Sequence, residues 1–199
     1  MHVEQQKQVL DVARELFFEL GFFKTKVSEI AARSETSTAS IYKVFPSKDA
    51  VFWAVIERSI EQIEHQIKKL EPLPDPLSFL HHVAQHYQEL CETELFQDLV
   101  RVPFHQNQLP SSKRRLLERW LRSAIADLCL PALRSCGQKG IIDPERMDSA
   151  LALLSSFIEH HTIWHDYLTG AQVVKPFLGK AISMEAVRIT LSAYPPSSA

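Results

Sequence analysis

The sequence predicts an all-α protein, and the evidence is the spacing of its apolar residues and the scarcity of its glycines. Only five of the 199 residues are glycine. Between them, apolar residues recur three and four positions apart, as on one face of a helix, and alternation with period two is almost absent. The glycines therefore punctuate a series of helices. They stand at Gly21, Gly137, Gly140, Gly170 and Gly179.

The first 50 residues predict one long helix followed by two short ones. Residues 3–20 carry an apolar face at helical spacing, and its members are Val9, Ala13, Leu16, Phe17 and Leu20. Residues 27–34 and 38–45 each form a short helix, and the polar turn 35–37 joins the two. Two short helices joined by a three-residue turn make a helix-turn-helix, whose second helix reads the major groove of DNA.

The second short helix has an apolar side and a small, polar side. Ile41, Val44 and Phe45 are expected to point inward. The expected outward residues are Thr38, Ala39, Ser40, Tyr42 and Lys43. Small residues at its start would let the helix backbone approach base edges closely. Pro46 cannot continue a helix, and Ser47 is placed to cap the next one, which begins at Lys48.

Residues 9–55 resemble the DNA-binding domain of the tetracycline-repressor (TetR) family. The shared landmarks are Leu-Gly-Phe at 20–22, Thr25, Val-x-Glu-Ile-Ala at 27–31, and Ser-x-x-Ser-Ile-Tyr-x-x-Phe-Pro-Ser-Lys-Asp-Ala at 37–50. The chain departs from the family in its helix-turn-helix, where Glu35 replaces the usual glycine and Thr38-Ala39 replaces a common Lys-Gly pair. If the turn keeps the family's geometry, Glu35 must adopt a backbone conformation that suits glycine.

The resemblance implies a set of DNA-contacting residues around the second short helix. Tyr42 is interpreted as a phosphate or base-edge contact, against the alternative that it packs on the turn. Lys48 is expected to clamp a phosphate beside free N–H groups of its helix, and Thr25 to act as both N-cap and phosphate donor. The full predicted set is Thr25, Lys26, Ser37, Thr38, Ala39, Ser40, Tyr42, Lys43 and Lys48.

Charge alone does not indicate nucleic acid. The formal net charge is -2 and the pI is about 6.5. Residues 1–50 hold seven basic and seven acidic side chains. Four lysines flank the predicted reading helix, at Lys24, Lys26, Lys43 and Lys48. The alternative interpretation of these lysines is an ordinary solvated surface.

The rest of the chain predicts further helices and a second domain. They cover about 48–70, 77–92, 95–105, 112–136 with a kink at Pro131, 144–168 with Asp143 as cap, and 183–194 with Ser183 as cap. We place a helix-turn-helix DNA-binding domain at residues 1–48 and a helical ligand-binding and dimerisation domain at residues 49–199.

The family resemblance implies that the second domain dimerises and binds a small apolar molecule. The expected interface residues are Leu151, Leu154, Phe157, Ile158, His161 and Ile189, on a stripe too apolar to stay exposed. The expected pocket residues are Phe79, Phe96, Phe104, Trp120 and Trp164. The expected function is a transcriptional regulator, most often a repressor in this family, that binds a palindromic operator in double-stranded DNA as a homodimer. The small molecule would be its inducer.

Other classes of protein remain open. The pairs His82/His86 and His161/His165 have the i, i+4 spacing of metal ligands, which allows a helical metalloprotein or metal sensor. A module that keeps a decayed helix-turn-helix is a third possibility. No phosphate loop, nucleophile elbow or HExxH occurs, so we expect no enzyme and no cofactor.

The expected compartment is the cytoplasm. The sequence has no apolar run of about 18 residues, so no membrane contact is expected. The N-terminus has no signal-peptide pattern. Three cysteines, Cys91, Cys129 and Cys136, are expected to be buried and inert, with redox sensing as the alternative.

Overall fold

The computed structural model describes residues 2–105, 111–164 and 181–196, without the side chains of residues 101–105 and 111–114. Within these ranges the regular structure is helical and no strand occurs, which confirms the all-α class. The helices are α1 Val3–Leu20, α2 Val27–Arg33, α3 Thr38–Val44, α4 Lys48–Ile67, α5 Pro76–Cys91, α6 Glu94–His105, α7 Ser111–Gln138, α8 Met147–Glu159 and α9 Ala181–Ala193. None of the helices in the described ranges is long and apolar enough to cross a membrane.

The chain divides into two compact units. The first comprises Met1–Ile63 and Asp98–Pro110, and the second comprises Glu64–Gln97 and Ser111–Ala199. The division therefore falls within α4 and within α6. Most of α4, up to Ile63, belongs to the first unit. The domain boundary between residues 48 and 49 stays a prediction from the sequence.

The first unit is built around a group of aromatic rings. Phe17 of α1 meets Phe52 of α4 edge to face, with ring centroids 5.3 Å apart. Phe22, in the turn after α1, stacks on Phe17 at 5.7 Å and meets Phe52 at 5.3 Å. Such ring pairs stabilise the fold beyond the contribution of the apolar area that they bury. They fix the turn after α1 against the first half of α4.

Two ion pairs also join helices of the first unit. Arg14 of α1 reaches Asp98 of α6 at 3.1 Å, and Arg58 of α4 reaches Asp11 of α1 at 3.0 Å. The Arg14 and Asp98 side chains are only 28% and 17% exposed, so solvent screens this pair less than an ordinary surface pair. The middle of α1 is thus joined to two helices that follow later in the chain.

The second unit packs around α5, whose apolar residues cover most of its circumference. Leu80, Val83, Ala84 and Tyr87 are fully buried. Helices α7, α8 and α9 all contact α5. This pattern explains why α5 tolerates few charged residues: a helix with neighbours on most sides has little face left for water.

The ends of α8 differ from the prediction of one continuous helix over residues 144–168. Asp143 caps the start as expected, accepting a hydrogen bond from the Glu145 backbone at 2.9 Å, and a 3-10 turn, Pro144–Arg146, leads into α8. After Glu159 the chain forms a five-residue π-helical turn, His160–Trp164. Residues 165–168 lie outside the described ranges.

The predicted cap of the last helix is wrong. The helix α9 already begins at Ala181, so Ser183 is its third residue and is buried. The Ser183 backbone N–H belongs to the first helical turn, where no carbonyl of the same helix can accept it. The side-chain oxygen of Gln88 on α5 accepts this bond at 2.9 Å. A glutamine on a neighbouring helix thus provides an acceptor at the start of α9, where the sequence predicts a serine cap.

Candidate nucleic-acid interface

The turn between α2 and α3 is closed by its own backbone and by one strained residue. The Thr36 N–H donates to the Ala31 carbonyl at 2.9 Å, and the buried Ser34 hydroxyl donates to the Ile30 carbonyl at 2.7 Å. Between them Glu35 has φ of 50°, the only non-glycine residue with positive φ in the described part of the chain. The conformation expected for Glu35 is therefore observed, and it favours glycine because a side chain crowds the backbone there.

Replacing Glu35 by glycine should stabilise the protein slightly. The left-handed conformation costs a side-chain-bearing residue about 1–2 kcal/mol, whereas glycine loses about 0.5–1 kcal/mol more chain entropy on folding. The expected net gain in the free energy of unfolding is about 0.5 kcal/mol, measured by chemical denaturation. The control is Glu35→Ala, which keeps the strain and should give no gain. An equal gain from alanine would show that loss of the charge, not of the strain, is responsible.

The start of α3 is fixed by a serine cap. Ser37 has an extended backbone, and its hydroxyl oxygen accepts a hydrogen bond from the Ser40 N–H at 3.0 Å. The two hydroxyl oxygens lie 2.9 Å apart. A capped first turn gives this seven-residue helix a defined beginning, which a helix too short to be stable alone requires.

The faces of α3 separate as the sequence predicted, with one exception. Ile41 is fully buried and Phe45 is 7% exposed, so these two residues anchor the helix. Ala39, Tyr42 and Lys43 are exposed, while Thr38 and Ser40 are partly exposed. Val44 was expected inside but is 37% exposed. The inward line runs from Ile41 to Phe45, four residues apart, which leaves Val44 at the edge of the helix.

Thr25 does not cap α2. Lys26 occupies that position, with no side-chain capping bond. The Thr25 side chain is 1% exposed, and its hydroxyl lies 2.9 Å from the carbonyl oxygens of both Leu16 and Gly21. It therefore donates back to the last turn of α1 and to the glycine that follows it. A phosphate contact from this hydroxyl would require it to leave both carbonyls.

Lys48 is also engaged within the protein. Its ammonium donates to the backbone carbonyls of Phe22 at 2.8 Å, Thr25 at 3.1 Å and Phe23 at 3.4 Å. It lies 4.5 Å from the centre of the Phe22 ring. Burial lowers the pKa of this ammonium below the usual lysine value, because desolvation disfavours its charge.

The remaining predicted lysines are free to face a nucleic acid. Lys24, Lys26 and Lys43 are exposed, and no carboxylate in the described part of the chain forms a salt bridge with any of them. Arg33 is different, because it pairs with Glu29 at 3.0 Å. Exposed α3 side chains and unpaired lysines thus occupy one stretch of sequence, residues 24–43, although its total charge is modest.

The predicted pocket residues of the second unit have different environments. Phe79 and Phe96 are core residues, 5% and 1% exposed. Trp120 is half-buried, and its indole N–H donates to a carboxylate oxygen of Glu64 at 3.0 Å. Trp164 is half-buried at the end of the π-helical turn. The side chain of Phe104 lies outside the described residues.

A buried polar cluster in the second unit was not predicted from the sequence. The fully buried Tyr87 donates its hydroxyl proton to a carboxylate oxygen of Glu159 at 2.6 Å. Burial raises the pKa of the Glu159 carboxyl, and the Tyr87 hydrogen bond opposes that rise. Burial also raises the pKa of Tyr87 well above its ordinary value. The two residues stand 72 positions apart, so no local pattern could join them.

The three cysteines are free, buried thiols. Burial raises the pKa of Cys129 to about 12 and that of Cys136 to about 11. A thiol reacts as its thiolate, which these values disfavour at neutral pH. The expectation of inert thiols agrees with this environment.

The predicted interface residues do not share one face. Leu154 and Ile158 are fully buried within the chain. They belong to α8, which contacts α5, α7 and α9. Leu151, Phe157, His161 and Ile189 are only partly buried. The Phe157 and His161 rings stack with centroids 4.4 Å apart, and the His161 Nδ1 lies 2.8 Å from the Phe157 carbonyl oxygen.

The histidine pairs have no third ligand in the described ranges. No group of three or more histidine, cysteine, aspartate or glutamate residues there is arranged to hold a metal ion. His82 is exposed and His86 is half-buried on α5. His165 lies outside the described residues, so the second pair is only half described.

Comparison with known proteins finds a family match in the N-terminal part and two related regulators. Residues 9–55 match the family described as bacterial regulatory proteins, tetR family. The HTH-type transcriptional regulator HbdR of Aromatoleum sp. (strain CIB) is 23% identical over 142 residues, 71% of this chain and 61% of HbdR. The HTH-type transcriptional regulator AcrR of Shigella flexneri is 33% identical over 94 residues, 46% of this chain and 43% of AcrR. The matches thus span less than two thirds of the length of either relative.

A solved structure extends the similarity of fold to nearly the whole chain. The transcriptional regulator FadR from Bacillus subtilis, in complex with stearoyl-CoA, has a TM-score of 0.65. The similarity covers 94% of this chain and 97% of that one, at 19% sequence identity. The shared fold has the helix-turn-helix at its N-terminus and a larger helical part after it.

Proposed function

We propose that the chain is a member of the TetR family of bacterial regulatory proteins and acts as a sequence-specific, DNA-binding transcriptional regulator. The observation that carries the proposal is the arrangement of α3. Ile41 anchors the helix in the core, Ser37 caps it, and Tyr42 and Lys43 stand exposed on its other side. A short helix held this way can enter a major groove and present its outer face to base edges and phosphates.

The proposed assembly is a homodimer on a palindromic operator. Two copies related by a twofold axis place their α3 helices on half-sites one DNA turn apart, about 34–36 Å. The partly buried apolar residues on α8 and α9 support such an interface, since a partner would cover them. Within that surface, Phe157 on α8 and Ile189 on α9 are the residues that we assign to the contact.

The proposed signal is a small, largely apolar organic molecule that binds the second unit and releases the operator. Support comes from the aromatic side chains of this unit, including Trp120 and Trp164, which remain partly exposed. The related fold with bound stearoyl-CoA gives independent support for an acyl ligand. A ligand of this kind acts by binding better to the form that does not fit the operator.

The test begins with selection of bound sequences from a random double-stranded DNA pool, followed by mobility-shift titration of the selected operator. Tyr42→Ala should weaken binding roughly tenfold or more, and Lys43→Ala should reduce the salt slope by about one unit. Both residues are exposed, so each free energy of unfolding should change by less than about 0.5 kcal/mol. Lys139→Ala, an exposed lysine of the second unit, is the matched control.

Two results would contradict the proposal. The first is a pool with no enriched sequence, and the second is parental affinity in both α3 variants. The same titration in the presence of a fatty acyl-CoA or a free fatty acid tests the signal. Release of the operator supports an acyl ligand, and unchanged affinity with both compounds argues against that class.

A further inference from the structure

Lys48 is the first residue of α4, and its side chain reaches the connection between α1 and α2. We propose that Lys48 is a positioning residue: it holds the α1–α2 turn, residues 21–26, so that Lys24 and Lys26 can face the phosphates of the operator. It would then contribute to DNA binding through the turn, without a phosphate contact of its own. This inference rests on the proposed DNA-binding function and names a role within that site.

The hydrogen-bonding capacity of the ammonium is already used. A lysine ammonium has three N–H donors and no acceptor. The structure provides three carbonyl oxygens for them, those of Phe22 at 2.8 Å, Thr25 at 3.1 Å and Phe23 at 3.4 Å. A phosphate contact would therefore replace a bond inside the protein, with no donor left over to add one.

The turn needs such a partner because its carbonyls have few others. The last carbonyls of a helix receive no hydrogen bond from an N–H of the same helix, and the turn that follows α1 is not helical. Gly21 begins the turn with φ of 82°, a conformation that suits glycine. Thr25 binds the carbonyls of Leu16 and Gly21 through its buried hydroxyl. Lys48 binds the carbonyls that follow, so two side chains together fix the turn.

The aromatic core adds a second hold on the ammonium. Lys48 Nζ lies 4.5 Å from the centre of the Phe22 ring. That ring packs against Phe17 and Phe52, which belong to α1 and α4. A cation over an aromatic face is attracted to it, and more strongly where water is excluded. The Lys48 ammonium is thus part of the packing of the first unit.

The turn that Lys48 holds presents its own cations outward. Lys24 and Lys26 are exposed, and Phe23, which precedes Lys24, is 58% exposed. Each lysine that neutralises a phosphate adds about 0.9 to the slope of log K against log salt. Fixing the backbone between these residues sets where both charges lie relative to α3. The two lysines, not Lys48, are then the source of this part of the salt dependence.

A double-mutant cycle on the selected operator separates the two roles. In the parent background, Lys48→Met should lower the salt slope by about 1.8, the value for two lost contacts. In the Lys24→Ala/Lys26→Ala background, Lys48→Met should change neither slope nor affinity, because the charges that it positions are gone. A drop of about 0.9 in both backgrounds would identify Lys48 as an independent phosphate ligand and overturn the proposal.

Hydrogen exchange on the free protein tests the hold on the turn without DNA. Lys48→Met should speed exchange of the Thr25 N–H, which donates to the Gly21 carbonyl. Lys26→Ala, an exposed control on the same turn, should leave that rate unchanged. Equal exchange in Lys48→Met and the parent overturns the proposal, whether or not an operator is found. Failure to select any operator, with faster exchange in Lys48→Met, contradicts only the DNA-binding function.

The parent protein provides a measurement in case Lys48→Met does not fold. The ammonium resonance of Lys48 should keep its position when operator is added, because its three carbonyl partners remain. A shift of that resonance with direct coupling to a phosphate phosphorus would overturn the proposal. Lys26, exposed on the same turn, is the internal comparison and should respond to the operator.

Discussion

A Phe157→Glu variant should be a folded monomer that binds the operator at least 100-fold more weakly than the parent. Phe157 is a partly buried residue of α8, and its ring stacks on His161 at the edge of the second unit. A carboxylate on a twofold interface meets its own copy, so each subunit would bury an unpaired like charge. Two linked DNA-binding units gain about 10²–10⁴ in avidity over a single unit, and a monomer loses that gain.

The measurement is sedimentation of the variant together with a mobility-shift titration. Leu73→Glu is the matched control, because Leu73 is 40% exposed in the connection before α5 and lies on none of the proposed interface helices. It should sediment and bind like the parent. A Phe157→Glu monomer that binds at parental affinity would contradict the dimer requirement. A Phe157→Glu dimer would show that α8 does not form the interface.

The same substitution at Leu154 should have another outcome. Leu154 is fully buried inside the chain, so a charge there has no water and no partner. That variant should unfold, and its loss of binding would say nothing about dimerisation. The apolar stripe over residues 144–168 contained both residues, yet only Phe157 can report on assembly.

The first four helices could be predicted closely because residues near in sequence determine where they begin and end. Gly21 follows α1, Ser37 caps α3 and Ser47 caps α4, and each acts within three or four residues of its own position. Even the strained Glu35 was predictable, since the turn's geometry and the missing glycine together require it. Such signals depend on neighbours in sequence, which a single chain displays.

The contacts of Thr25 and Lys48 within the chain could not be predicted, because their partners are backbone carbonyls brought close by folding. Lys48 lies 26 residues from Phe22 and 23 from Thr25. A lysine at the start of a helix has the same sequence signature whether it meets a phosphate or a carbonyl. The motif therefore predicts an interface in this stretch of sequence but does not fix what each polar side chain contacts.

The second unit was harder to predict because its helices are read from apolar spacing alone. Spacing gives the direction of a face but not what covers it, so Leu154 and Phe157 looked equivalent. The π-helical turn His160–Trp164 adds a further difficulty, because its wider turn rotates the following residues away from a 3.6-residue stripe. The sequence places His161 on the apolar stripe of α8, but the 3.6-residue period of that helix ends at Glu159.

Tyr87→Phe should lower the free energy of unfolding by about 1–3 kcal/mol at neutral pH, the range for a buried polar group that loses its partner. The phenol of Tyr87 is fully buried and donates to Glu159 at 2.6 Å. Phenylalanine keeps the ring and its packing against Phe96 but leaves the carboxyl without this donor. The measurement is chemical denaturation of parent and variant under the same conditions.

The loss of stability in Tyr87→Phe should depend on pH, and the titration of the Glu159 carboxyl sets the direction of that dependence. Burial raises the pKa of this carboxyl in the folded protein above its ordinary value of 4.5. The folded state therefore binds the proton more tightly than the unfolded state. Stability from this group is fully present below pH 4.5 and is lost as pH rises through the raised pKa. The Tyr87 hydrogen bond opposes the rise in pKa, so Tyr87→Phe should steepen the loss.

Glu159→Gln separates the charge from the hydrogen bond. Glutamine keeps an oxygen that can accept from Tyr87 but does not ionise, so its free energy of unfolding should lack the pH-dependent loss. In the Glu159→Gln background, Tyr87→Phe should cost less than in the parent at neutral pH, because a bond to a carboxylate is stronger than one to an amide. Equal costs in both backgrounds across the pH range would show that Glu159 remains uncharged in the folded protein. A parent and a Glu159→Gln variant with the same pH profile would show that burial does not raise the pKa of this carboxyl at all.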